Sequence, residues 1–128
     1  MLYSKADIIK YRLEMTRETF QAALYLAKGN YWKSVVNRLY FTCFYAVMAL
    51  LTKHDIAEPD HAEIKLQFHR LYIKTNLIDV ELGKMYTTLY NKQYECDYDD
   101  FVYFKQEDVE PFIPQVEEFI KAVEDILA

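Results

Sequence analysis

The chain has only two glycines and three prolines in 128 residues. So few turn-forming and helix-breaking residues argue against many short strands and for a small number of long helices. Cysteine is scarce too: Cys43 and Cys96 are too few for a disulfide framework and read as reduced thiols. Basic charge is in deficit, with 15 Lys and Arg against 20 Asp and Glu and a net charge of −5. That balance argues against coating nucleic acid through a broad basic surface, but leaves room for a local phosphate site built on one or two arginines. The apolar run from Leu39 to Leu51 has 13 residues, short of the roughly 20 needed to cross a bilayer. The start, MLYSKADIIKYRLE, is charged and lacks the apolar stretch of a signal peptide. A cytoplasmic protein with no membrane partner is expected.

What is present is apolar surface in helical register. Hydrophobic residues make up 52% of the chain and charged ones 27%, which suits one globular domain spanning 1–128. Ser4 is a candidate N-cap, followed by an apolar stripe through Ile9, Leu13, Phe20, Leu24 and Ala27, with Gly29-Asn30 as the stop. A second helix is expected from about Tyr31 to His54. Asp60 and Glu63, just after Pro59, start a third that ends near Asn76. Asp79 caps a fourth carrying Leu82, Met85, Leu89 and Tyr90, which Gly83 weakens. The stretch from Tyr94 to Lys105 has no clean period and reads as a loop. The last helix carries Val109, Phe112, Val116, Phe119, Val123 and Ile126, with Pro111 and Pro114 in its first turns. The expected fold is all-α, an antiparallel up-and-down bundle of four or five helices.

One narrow polar line crosses the most apolar helix. Between Leu39 and Leu51 only Thr42 is not apolar. Ser34, Arg38, Thr42 and Tyr45 recur at i, i+4, i+8 and i+11, so a helix places them on one face. An arginine among aromatics needs a partner if it is buried. Arg38 is therefore either a structural anchor, bonded to Asp97 or to backbone carbonyls, or a ligand-facing cation. Tyr45 fits a core or interface position as well as a site.

Arg38-Leu39-Tyr40-Phe41, followed by its aromatic and small-residue run, resembles the RxYYAxFxAxxALL signature of the HEPN family. Tyr3 with Lys5-Ala6, the turn from Ala27 to Tyr31, His61 beginning a helix, Phe68 and the segment Cys96-Asp97-Tyr98-Asp99 resemble small single-domain members in order and spacing. The resemblance covers nearly the whole chain. It implies a helical bundle, a two-fold homodimer that brings motif arginines together, and an association with a minimal nucleotidyltransferase as toxin and antitoxin. It also implies metal-independent RNA cleavage without a cofactor in members with an arginine followed by a histidine after four to six residues. In some pairs the transferase adds nucleotides to a motif tyrosine, a role open to Tyr45.

The division of labour in that motif is chemical. Arginine holds the scissile phosphate and its growing charge, and histidine moves the 2′-hydroxyl proton. Here the histidine is missing: the motif spacing from Arg38 lands on Cys43 or Tyr45. Unperturbed tyrosine titrates near ~10 and is a poor proton shuttle at neutrality.

His61 is the candidate replacement base, against the plainer role of an exposed first-turn residue. His54, Asp55, Glu58, Asp60 and His61 cluster in sequence but lack a ligand spacing, so no metal is expected. His69 carries no signal of its own. Asp97 with Tyr98 reads either as a partner for Arg38 with an aromatic lid, or as a solvated acidic loop. The 12 tyrosines have no interleaved basic residues, unlike a base-stacking platform. The expected function is a toxin–antitoxin HEPN protein that binds nucleotide or RNA phosphate at Arg38 with a degenerate ribonuclease motif. Its site residues would be Arg38, Tyr45, His61, Asp97 and Tyr98, and the alternative is a non-catalytic module that dimerises and docks a partner protein.

Overall fold

The structure is a computed structural model that describes residues 2–56 and 60–128. Helix α1 spans Lys5–Lys28 and opens on a capping box, in which Ser4 Oγ accepts from the Asp7 N–H and the Asp7 carboxylate accepts from the Ser4 N–H, both at 3.1 Å. It ends where Gly29 caps the last turn and Asn30 takes a left-handed φ of 62°. Helix α2 follows at Trp32–Lys53. Such a tight turn folds α2 back antiparallel to α1, and Lys5 accordingly reaches the Lys53 carbonyl and the Asp55 carboxylate at the far end.

Helix α2 is the hub, packed against α1 and against α3 (His61–Phe68), α4 (Val80–Tyr98) and α6 (Phe112–Leu127). It is the one described helix long and apolar enough by composition to cross a membrane. Within the fold 67% of its most apolar window is buried, so its side chains serve the protein core. Buried residues from every helix join in one cluster, with Phe68, Tyr86 and Phe119 meeting at ring separations of 5.5 to 6.0 Å.

Two arginines of α1 tie the bundle together. Arg12 donates to the Met48 carbonyl at 3.2 Å and to the Thr52 hydroxyl on α2. Arg17 forks onto α6, meeting Glu124 at 2.7 Å and Glu117 at 3.1 Å. Thr16, Thr42 and Thr52 are buried, and each returns its hydroxyl to the carbonyl four residues earlier.

The helical bundle expected from sequence is present, and three boundaries differ. Asp60 caps α3 as expected, but after Phe68 the helix widens into a π-helical turn, His69–Ile73, and the chain leaves through Asn76 at φ 62°. Pro59 and Glu58 lie outside the described residues. Helix α4 starts at the Asp79 cap and runs on to Tyr98, through part of the stretch expected to be a loop. Gly83 lets it approach that π turn, because a Cβ there would sit 2.8 Å from Ile73 Cδ1. Val109 belongs to a separate turn, α5 (Gln106–Val109), with Pro111 at the N-cap of α6.

Candidate functional site

Helix α4 carries tyrosines at 90, 94 and 98, an i, i+4, i+8 series that lies on one helical face. Gln93 and Asp97 interleave with them, joined by a 3.1 Å hydrogen bond from Gln93 Nε2. Opposite stand Tyr40 of α2 and His61, the first residue of α3. Together these seven residues line an open cleft of about 190 Å³.

His61 sits in it at the start of α3, whose first turn is held by Asp60 accepting from the Ala62 N–H at 2.8 Å. Its Nδ1 lies 2.8 Å from the Tyr40 hydroxyl. The imidazole stacks on Phe44, centroids 4.1 Å apart and planes 23° from parallel, and meets Phe41 edge-on at 6.1 Å. The ring is thus fixed in position and orientation, while Nε2 has no partner among the described residues. Tyr40 is only 2% exposed. Burial pushes its phenol well above the ordinary tyrosine value, and Tyr90, Cys43 and Asp97 add to the shift, so the hydroxyl keeps its proton. Further along, Tyr94 and Tyr98 rings pack at 4.5 Å, with Tyr98 76% exposed at the rim. Gln93 Oε1 is buried with no partner among the described residues. Lys65 Nζ lies 4.6 Å over the outer ring of Tyr90.

Three of the sequence-designated residues, His61, Asp97 and Tyr98, therefore meet, and two do not join them. Arg38 is exposed on α2 and makes no ion pair among the described residues, against the expectation of a buried charge with a partner. The physical reason is angular: Arg38 and Tyr40 are two residues apart, about 200° around the helix, so a cleft on the Tyr40 side leaves Arg38 in solvent. Asp97 does not pair with it but bonds Gln93, and the Asp97–Tyr98 pair is helical, neither a lid over Arg38 nor a loop. Thr42 leaves the expected polar line because it is buried and self-satisfied. Tyr45 is half-buried beside Phe41 and Phe44, outside the cleft.

The residues around the 54–61 linker go separate ways: His54 bonds the Tyr72 hydroxyl at 2.8 Å, Asp55 pairs with Lys5, and Asp60 caps α3. Glu58 lies outside the described residues. Sequence reasoning missed Tyr40, Tyr90, Gln93 and Tyr94. The four-residue spacing of the α4 tyrosines was the available signal, hidden once the stretch from Tyr94 to Lys105 was read as a loop.

The HEPN domain family matches residues 9–126 of the chain. A Thermotoga maritima protein named UPF0332 protein is 33% identical over 123 residues, which cover 96% of this chain and 93% of that one. A Methanocaldococcus jannaschii protein with the printed name "Putative toxin MJ0142" is 32% identical over 98 residues, covering 77% of this chain and 67% of its own. No solved structure matches significantly.

Proposed function

Because the chain belongs to the HEPN domain family, we propose that it is the toxin-like member of a toxin–antitoxin pair and binds nucleotide or RNA, with Arg38 taking a phosphate. The observation that carries this reading is Arg38 itself. It is an exposed guanidinium free of carboxylates among the described residues, one helical turn from Phe41, whose ring borders His61. Arg12 and Arg17, by contrast, are held by internal partners. A guanidinium left in this state is ready for bidentate phosphate contact. The net charge of −5 fits a local contact better than a long electrostatic footprint. The archaeal relative named as a toxin supports the same reading. A cytoplasmic location and a minimal nucleotidyltransferase as antitoxin belong to it, with the half-buried Tyr45 as the tyrosine open to modification.

The test is binding of short RNAs and mononucleotides followed by calorimetry, for the wild type and Arg38→Glu. Reversing one phosphate-contacting charge is expected to weaken binding at least ~10-fold, an effect that shrinks as salt rises. No measurable binding, or equal binding by both proteins, would sink the reading.

A second reading rests on the half-buried strip of Phe41, Phe44, Tyr45 and Met48 on α2. Aromatic and Met side chains are enriched at interfaces, and this strip would serve a homodimer or a docked partner protein. Loss of dimer or partner in Phe41→Glu, with Arg38→Glu behaving as wild type, would favour a pure interaction module.

A further inference from the structure

We propose that the end of α4 is a docking surface for an arginine-bearing segment of a partner protein, with one guanidinium lying in the tyrosine cleft against Asp97. Arg38, which is outside the cleft, has no part in it. Charge is the first observation. From Tyr94 to Phe104 the chain carries four carboxylates and five aromatic rings, with no Lys, Arg or His. Set against a net charge of −5 for the whole chain, this one segment holds most of the imbalance. None of its carboxylates is in an ion pair among the described residues. Four of its rings stand in solvent: Tyr94 is 55% exposed, Tyr98 76%, Phe101 81% and Tyr103 82%. Open ring faces beside unpaired carboxylates suit a group that is flat, weakly hydrated and cationic at once, which a guanidinium is.

The chain's own cations already sit on rings in this region. Lys65 Nζ lies 4.6 Å over Tyr90 and Lys92 Nζ 5.0 Å over Phe104, whereas Tyr94 and Tyr98 carry no cation among the described residues. Asp97 is held beside them by Gln93 Nε2, which donates to one carboxylate oxygen at 3.1 Å. Its second oxygen has no partner among the described residues, and none of the residues lining the cleft is Lys or Arg. Size decides between a free ligand and a side chain. At about 190 Å³ the cleft is smaller than the roughly 300 Å³ at which pockets for whole small ligands begin. It takes the head of one side chain and leaves the rest of the ligand outside. RNA is the wrong occupant, because its phosphates would meet the same four carboxylates.

The experiment is calorimetric titration with N-acetylated, C-amidated tetra-arginine at low salt, for the wild type, Tyr98→Ala, Asp97→Asn and Glu18→Gln, with thermal denaturation of each. Tyr98 and Asp97 are exposed, so their variants are expected to fold. Each is expected to weaken binding about threefold, one through a lost ring face and the other through a lost charge, and the double variant about tenfold. Glu18→Gln removes the same charge from an exposed position on α1 and should leave binding unchanged. Tetra-lysine is expected to bind about threefold more weakly than tetra-arginine, since an ammonium lacks the planar fork. Equal weakening by Glu18→Gln and Asp97→Asn, or no effect of Tyr98→Ala, would reduce the binding to diffuse attraction toward an acidic protein and overturn the proposal. Absence of peptide binding by the folded wild type overturns it too, as does binding of oligo-uridine that falls in Tyr98→Ala. Arg38→Glu is expected to keep the peptide whatever it does to RNA, so this proposal and the phosphate reading fail separately.

Discussion

Tyr86 contributes a ring to the centre of the core and a hydroxyl without a partner among the described residues. The side chain is fully buried between Phe68 and Phe119. A buried, unsatisfied hydroxyl carries its full desolvation penalty, whereas removing it leaves ring packing intact. Tyr86→Phe is therefore expected to stabilise the protein by about 1 kcal/mol, measured by urea denaturation. A loss of stability of similar size would mean that the hydroxyl is hydrogen-bonded in solution. Arginines show the limit of reading such features from sequence. Arg38 stood out locally because its neighbours are aromatic, yet it faces solvent, while Arg12 and Arg17 gave no local signal and carry the internal bonds. What an arginine meets is decided by residues as far away as Met48, Glu117 and Glu124, and no helical period encodes that.

At the scale of elements, starts were legible and ends were not. Ser4, Asp60 and Asp79 each cap the helix that their position announces, because an N-cap is a local contact within three residues. The end of α4 was missed because Asp97, Asp99 and Asp100 oppose the dipole of a helix C-terminus and look like a loop. The helix continues through Asp97 to Tyr98, on the Gln93–Asp97 bond and the packing of Tyr94 on Tyr98, and stops before Asp99 and Asp100. That error hid one wall of the cleft.

Contacts between elements invite a separate test at the α1–α6 seam. Arg17 is partly exposed, and its two carboxylates raise its already high pKa, chiefly through the bond to Glu124, so it stays charged at all accessible pH. After discounting for solvent screening, the fork is worth about 1 kcal/mol. Arg17→Met should cost that amount in low salt and distinctly less in 1 M salt, where the Debye length is ~3 Å. A double-mutant cycle with Glu124→Gln checks that the loss belongs to the pair; zero coupling would place it in packing instead.

For the whole molecule, the order of helices and the identity of the core helix were readable because both follow from composition and period. The cleft was not, since it exists only when α2, α3 and α4 meet. The same meeting gives the fold a titration behaviour that the unfolded chain lacks. Burial raises the Cys43 thiol above its ordinary 9.0 and the Tyr40 and Tyr86 phenols above 10.0. Each group is an acid that is neutral in the folded core. Below pH 9 both folded and unfolded chains keep these protons, so stability does not depend on them. Above it the unfolded chain releases protons that the native state retains, and native stability falls as pH rises. Each group in that window removes about 1.4 kcal/mol per pH unit. The melting temperature is thus expected to drop steadily from pH 9 to 10.5, beginning with Cys43 and steepening as the tyrosines join. Cys43→Ala should make the onset shallower, leaving only the smaller contribution of Cys96, whose thiol burial also raises, and Tyr86→Phe should reduce the steepening. A melting temperature flat to pH 10.5, or one whose decline is identical in all three proteins, would show that these groups reach solvent before the fold opens.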